Sequence, residues 1–187
     1  MFEMMDWYIK NLAWIRARDE YLYQELMEMV EPRPDVDWYA IDTMMRPKEW
    51  LFGLGSFSSA ATVVLYGFGD GEHAMHVLDK LGEGGHLIIV VCDVPEFLEM
   101  LHIADMERML GDPRVSIVVY GINNDILLRY LAGSLSPETI SRAKVFSLPE
   151  YDEWYPEGRK FIDQALRIIS QWMRGCEGYG FFYYTYK

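Results

Sequence analysis

The 187-residue chain has the composition of a globular protein, with 51% hydrophobic and 25% charged residues. Its formal net charge of -12 argues against nucleic acids and anionic membrane surfaces as partners, because both require a basic face. No apolar run approaches the ~18 residues of a membrane span, and the N-terminus lacks the features of a signal peptide. The two widely spaced cysteines, Cys92 and Cys176, predict no disulfide and a cytoplasmic location.

The N-terminal part of the chain begins with a helical pattern. Apolar residues recur at spacings of three and four over residues 6–30, which predicts one amphipathic helix broken only at Asp19. The prolines of EPRPDVD, residues 31–37, end this helix, and a short extended piece and a Gly/Ser-rich stretch follow. We therefore divide the chain into an N-terminal helix with an extended linker, residues 1–60, and an α/β domain, residues 61–187.

The α/β domain repeats a strand followed by a helix four times. The predicted strands ATVVLYG, HLIIVVCD, RVSIVVYG and AKVFSLP are continuously apolar, as expected when both faces of a sheet are covered. The predicted helices span residues 72–81, 95–110, 124–135 and 158–173. This alternation predicts a doubly wound parallel sheet of the Rossmann-like, methyltransferase-like class, with strand order 3-2-1-4 and right-handed crossovers.

A glycine turn follows the first strand, at the sheet edge where ligands bind in such folds. Gly67, Gly69 and Gly71 allow tight turning and close approach of a ligand, and the amides that open the next helix are anion donors. Asp93 ends the second strand, 22 residues after Gly71, where a ribose-binding acid is expected. Asn123, with Gly121 and Asn124, ends the third strand on the same rim.

These residues predict a nucleotide or nucleoside-type ligand, but each also has a structural interpretation. The glycines serve a turn in any case, and Asp93 is a good cap for the helix that Pro95 begins. His73 and His76 have the spacing of a metal pair, although solvent-facing histidines are the simpler interpretation. The acidic and aromatic segment EYDEWYPEG, residues 150–158, either borders a sugar or nucleoside cleft or packs against the core.

The glycine turn resembles the first motif of class I S-adenosylmethionine methyltransferases. In that family an acid two residues before the first glycine holds the methionine ammonium. The corresponding residue here is Leu65, which cannot pair with an ammonium. The resemblance therefore implies the fold of that family more strongly than its methyl-donor binding.

A second resemblance covers roughly residues 8 to 174. YIKNLAWI, VLYGFGDGEHAMHVLDKL, CDVPEFLEMLHIADMERMLGDPRVSIVVYG and YDEWYPEG occur in the same order in the N-terminal domain of the motility accessory factor (Maf) glycosyltransferases of bacteria, which are linked to flagellin glycosylation. The resemblance implies a Rossmann-like domain that accompanies a central transferase domain. The Gly-x-Gly-Pro-Ser type turn of that central domain is absent from this sequence, so no catalytic residue is carried over.

From the residues and the resemblance together we expect an accessory or non-catalytic domain that works beside a transferase domain or partner protein. The alternative is a divergent S-adenosylmethionine-dependent methyltransferase or another nucleotide-binding enzyme. The C-terminal segment GYGFFYYTYK carries six aromatic rings in ten residues, which predicts that it adds to the sheet or packs on a partner subunit, as in a homo-oligomer, or on another domain.

Overall fold

The computed structural model describes residues 2–29, 61–69, 71–136, 143–148 and 151–176. Three features predicted from the sequence lie outside these residues. They are the extended piece after EPRPDVD, most of the Gly/Ser-rich stretch and the aromatic C-terminal segment.

A four-stranded parallel sheet forms the centre of the fold, in the order β3-β2-β1-β4. The strands are β1 (Thr62–Tyr66), β2 (His86–Val91), β3 (Val115–Val119) and β4 (Lys144–Ser147). Every residue of β1 is buried, because the strand pairs with β2 on one side and β4 on the other. The predicted α/β class, the parallel sheet and the strand order are confirmed.

Helices flank the sheet and follow its strands. They are α3 (Glu72–Lys80), α4 (Val94–Ile103), α5 (Glu107–Leu110), α6 (Asn124–Ser134), α7 (Tyr151–Trp154) and α8 (Pro156–Cys176). The single helix predicted over residues 95–110 is wrong, since the chain divides it into α4 and α5. Ala104 has an extended backbone that ends α4, and the Asp105 side chain accepts the amide hydrogen of Glu107 at the start of α5.

The N-terminal helix predicted over residues 6–30 is also two helices, α1 (Phe2–Arg18) and α2 (Glu20–Met29). Asp19 separates them, and its Oδ1 accepts the amide hydrogen of Leu22 at 2.9 Å. An aspartate that caps a new helix competes with continuation of the old one, which explains the break. Asp19 was the residue that interrupted the apolar pattern in the sequence.

Two polar side chains, the buried Asn11 and the exposed Arg18, fasten α1 to the α/β layers. Asn11 donates to the carbonyl oxygens of Leu101 and Ala104, at 2.9 and 2.8 Å, and accepts the amide hydrogen of Met106 at 3.1 Å. The Arg18 guanidinium donates to three carbonyl oxygens, which belong to Leu110, Asp112 and Val115. The apolar faces of α1 and α2 belong to the same hydrophobic core as the sheet.

Candidate functional site

The glycine turn lies at the carboxyl end of β1, in the central part of the sheet. The φ values of Gly67, Gly69 and Gly71 are +99°, +57° and +78°. Residues other than glycine rarely adopt this backbone conformation. The Gly67 amide donates to the Val90 carbonyl oxygen at 2.9 Å, which ties the turn to the end of β2. The sequence therefore predicted both the position of the turn and its need for glycine.

Side chains of this chain fill the space beside the turn. A Cβ atom on Gly67 would lie 2.7 and 2.8 Å from two ring carbons of Tyr151 and 3.0 Å from Leu148 Cδ1. A Cβ atom on Gly69 would lie 2.9 Å from the same Leu148 atom. Because the glycines have no side chains, Leu148 and Tyr151 pack directly against the backbone of the turn. These two residues occupy the space that a ligand close to the turn would need.

Both carboxylate oxygens of Asp93 accept hydrogen bonds from within the chain. Oδ1 accepts the Glu96 amide hydrogen at 2.9 Å, so Asp93 is the N-cap of α4. Oδ2 accepts the hydroxyl hydrogen of Tyr155. The capping interaction expected from the sequence is present. The donor to Oδ2 is the Tyr155 hydroxyl rather than the ribose hydroxyl that the sequence predicted.

Glu96 is a member of this site that sequence reasoning missed. Its side chain is only 5% exposed, and Oε2 accepts the hydroxyl hydrogen of Tyr151. Oε1 is buried without a hydrogen-bond partner among the described residues. The only signal in the sequence was the Asp-x-x-Glu spacing from Asp93, which by itself indicates a helix start rather than a buried acid.

Burial raises the pKa of the Glu96 carboxyl to about 7, and the nearby charges of Asp93 and Glu99 act in the same direction. The Tyr151 hydroxyl opposes this shift, and so does the nearby Gly69 amide, which stabilises the ionised form without making a well-formed hydrogen bond to Oε1. A carboxyl with this pKa changes its charge near neutral pH. Glu96 is therefore a residue of the rim whose protonation state changes with pH near neutrality.

The tyrosines of the rim are hydrogen-bond donors rather than acids. Burial is the main cause that raises the pKa values of Tyr66, Tyr151 and Tyr155 above the usual value for tyrosine. The Tyr66 hydroxyl donates to the Tyr155 carbonyl oxygen. Burial also raises the pKa of the neighbouring Cys92 thiol, which is the opposite of what an activated nucleophile requires.

The predicted contribution of Asn123 to the ligand rim has no support in its contacts. Asn123 is fully buried, and its Oδ1 accepts the Val119 amide hydrogen at 2.7 Å. Its Nδ2 donates to Asp19 at 3.2 Å, toward the N-terminal helices. Asn124 accepts the Gly121 amide hydrogen at 2.8 Å and so closes the local turn. The bonds of these residues do not connect them to the glycine turn or to Asp93.

The histidines differ from their sequence-based interpretation. His73 is buried rather than solvent-facing, since it lies on the inner side of α3 with Ala74 and Val77. His102 is half-buried and stacks on the Tyr8 ring with centroids 3.7 Å apart. Among the described residues no group of three or more acidic, histidine or cysteine side chains is arranged to bind a metal ion. None of the described helices is long and apolar enough to cross a membrane.

The solved structures to which this chain is similar include the following two. One is a Maf glycosyltransferase from Magnetospirillum magneticum AMB-1, with 15% identity, a TM-score of 0.39 and coverage of 79% of this chain. This chain spans only 26% of that protein. The other is a candidate O-methyltransferase from Klebsiella pneumoniae, with 14% identity, a TM-score of 0.28 and coverage of 92% of this chain and 87% of that one. No protein-family model matches the sequence, and no curated protein matches it.

Proposed function

We propose that this chain is a non-catalytic, Rossmann-like accessory domain that works beside a transferase domain or partner protein. Its counterpart is the N-terminal domain of the Maf-type glycosyltransferases, which its sequence resembles piece by piece in the same order. Protein glycosylation, such as that of flagellin, is the process in which such a domain would take part. The proposal includes a cytoplasmic location, which the two widely spaced cysteines of the sequence favour.

One observation carries the non-catalytic assignment, namely that the ligand rim is filled by the chain itself. The Tyr151 ring lies against Gly67, and the Tyr155 hydroxyl occupies the acceptor Oδ2 of Asp93. A nucleotide in the usual position would have to displace both tyrosines before its ribose reached Asp93. Displacement subtracts the free energy of these contacts from the affinity of any ligand.

A second observation concerns the methyl donor. Leu65, at the position where class I methyltransferases carry an acid, is fully buried in β1 and pairs with Ile89 and Phe146. It offers no charge to the methionine ammonium. Loss of such a charged partner typically costs about 2–5 kcal/mol in binding.

The alternative function, a divergent methyltransferase or other nucleotide-binding enzyme, is favoured by one feature. Glu96 supplies a carboxylate next to Gly69, with an oxygen that has no partner among the described residues. A ligand ammonium that reached Glu96 would find an anion close to the glycine turn. This route also requires that Tyr151 move away.

Calorimetric titration tests the proposal. S-adenosylmethionine, S-adenosylhomocysteine, cytidine monophosphate and nicotinamide dinucleotide are titrated separately into the full chain. We expect Kd values of about 1 mM or weaker, which correspond to a binding free energy no more favourable than about -4 kcal/mol. Micromolar binding that is lost in Asp93→Ala, and retained in the nearby control Glu99→Gln, would contradict the non-catalytic assignment and support the alternative.

A further inference from the structure

Residues 151–155 form a short segment, here called the tyrosine latch, that lies across the carboxyl edge of the sheet. Its two terminal tyrosines each donate a hydroxyl hydrogen to a carboxylate of α4, Tyr151 to Glu96 and Tyr155 to Asp93. The Tyr151 ring also covers Gly67, and the Tyr155 carbonyl oxygen accepts the Tyr66 hydroxyl hydrogen. The latch is thus attached to the rim by side-chain bonds to two acids, and also by the buried Tyr151 ring, which packs on Tyr66, and by the Asp152 carboxylate, which accepts from the Ser147 hydroxyl.

The two acids differ in how well the closed latch satisfies them. Asp93 has a hydrogen bond on each oxygen, one from the Glu96 amide and one from Tyr155. Glu96 has the Tyr151 hydroxyl on Oε2, while its Oε1 is buried without a partner among the described residues. A buried anion with an unpaired oxygen is costly, and a proton on that oxygen removes the charge.

Two of the titratable groups near Glu96 increase this cost. These groups come from α4, the latch and the end of β2, and are Asp93, Glu99, Tyr151, Tyr155 and Cys92. Asp93 and Glu99 each place a negative charge near the Glu96 carboxyl. The two tyrosines and Cys92 are neutral at physiological pH, because burial raises their pKa values. The His73 ring lies beside Gly69, with Nδ1 3.9 Å from the position of a Cβ atom there.

We propose that the tyrosine latch is controlled by a proton on Glu96. With the Glu96 carboxyl protonated, the latch lies shut over the glycine turn, and ionisation of Glu96 releases it. Opening gives the carboxyl group access to water, and hydration stabilises its charged form far more than its neutral form. The burial that raises the pKa of Glu96 to about 7 sets this change near neutral pH. The inference goes beyond the proposed function, since it holds whether or not the open rim takes a ligand.

Hydrogen exchange of the full chain measures how far the latch segment loosens. The reporting amides are those of Tyr155 and Gly158, which donate to the carbonyl oxygens of Tyr151 and Tyr155 at 2.8 and 3.1 Å. Protection factors, corrected for the intrinsic effect of pH on exchange, are compared between about pH 5.5 and about pH 8.5. We expect protection of these amides to fall by about tenfold or more in the wild type as pH rises. The amides of β1 and β2 should keep their protection.

Variants assign the effect to Glu96. Glu96→Gln keeps the shape of the protonated side chain and should leave latch protection constant across the same range. Glu99→Gln, on the same helix, should retain the pH dependence with a slightly lower midpoint, since a nearby negative charge is lost. Equal pH dependence in the wild type and Glu96→Gln would overturn the proposal, as would protection that rises with pH.

A direct titration keeps the proposal testable if Glu96→Gln fails to fold. Carboxyl carbon resonances of wild-type protein labelled on glutamate report the midpoint of each glutamate. We expect one midpoint near 7 that moves downward in Glu99→Gln, because a nearby negative charge is lost. A full set of midpoints below about 5.5 would refute the proposal. Neither measurement uses a nucleotide, so its failure is distinct from failure of the non-catalytic assignment.

Discussion

Asp93 accepts the Glu96 amide hydrogen on one oxygen and the Tyr155 hydroxyl hydrogen on the other. One side chain therefore both starts α4 and fastens the tyrosine latch to the sheet edge. This double use explains why an acid stands at the end of β2 without any requirement for a ligand. Substitution can separate the two roles, because asparagine keeps the cap and loses the charged acceptor of the Tyr155 bond.

Asp93→Ala should lower the free energy of unfolding by about 1–2 kcal/mol, because it removes the cap of α4 together with the bond to Tyr155. Asp93→Asn should lower it by less than half as much, since asparagine is an equally good N-cap. Urea unfolding followed by circular dichroism measures both values. Equal losses in the two variants would show that the cap contributes little.

Gly67→Ala should destabilise the fold by about 1–3 kcal/mol, since φ is +99° and the new methyl group would meet the Tyr151 ring. The matched control is Gly133→Ala in α6, where a Cβ atom meets nothing within 4 Å. Alanine there should stabilise the protein by about 0.5–1 kcal/mol through helix propensity. Thermal unfolding of both variants tests the contrast, and a Gly67→Ala variant as stable as the wild type would contradict the described packing of Tyr151.

The fold could be read from the sequence because its signals are local. Continuously apolar strands such as residues 86–91 and a glycine turn directly after β1 determine the class of sheet and the position of the rim. The closure of the rim could not be read, because it joins residues far apart in the chain. Tyr151 and Glu96 are 55 residues apart, and Tyr155 and Asp93 are 62 apart.

The breaks in the predicted helices have a similar cause. Asp19 interrupts the apolar pattern of residues 6–30, but the periodicity on both sides of it still predicted one helix. Its side chain caps α2 locally and also accepts a hydrogen bond from the distant Asn123. At the end of α4 the Ala104 carbonyl oxygen accepts a hydrogen bond from Asn11 of α1. A long-range hydrogen bond therefore accompanies each break, and the local pattern shows neither.

Asn11 should be among the polar residues most sensitive to substitution. It is 1% exposed and satisfies two carbonyl oxygens and one amide at the junction of α4 and α5. Asn11→Ala leaves these groups buried and unpaired, which should cost about 2–4 kcal/mol. Asn11→Asp should cost at least as much, because a carboxylate cannot donate to the carbonyl oxygens of Leu101 and Ala104.

The matched control for Asn11 is Ile9→Ala on the same helix, where the side chain is 60% exposed. It should change the free energy of unfolding by no more than about 0.5 kcal/mol. Chemical unfolding of the three variants provides the comparison. A small loss in Asn11→Ala would mean that α1 is held to α4 by apolar contacts alone.

The pH dependence of stability should carry the signature of Glu96. The pKa of this carboxyl in the folded chain is about 7, above the ordinary value of 4.5, so folding favours its protonated form. Its stabilising contribution to the free energy of unfolding is complete below pH 4.5 and is lost as pH rises through about 7. The loss should amount to about 1–3 kcal/mol. The Asp112 pKa is lowered beside Arg114, so its contribution is lost only at more acidic pH, outside this window.

Urea unfolding of the wild type and Glu96→Gln at several pH values isolates the contribution of Glu96 as the difference between the two proteins. We expect the wild type to lose stability relative to Glu96→Gln across this window, and a difference that stays constant with pH would mean that Glu96 is already ionised in the closed rim.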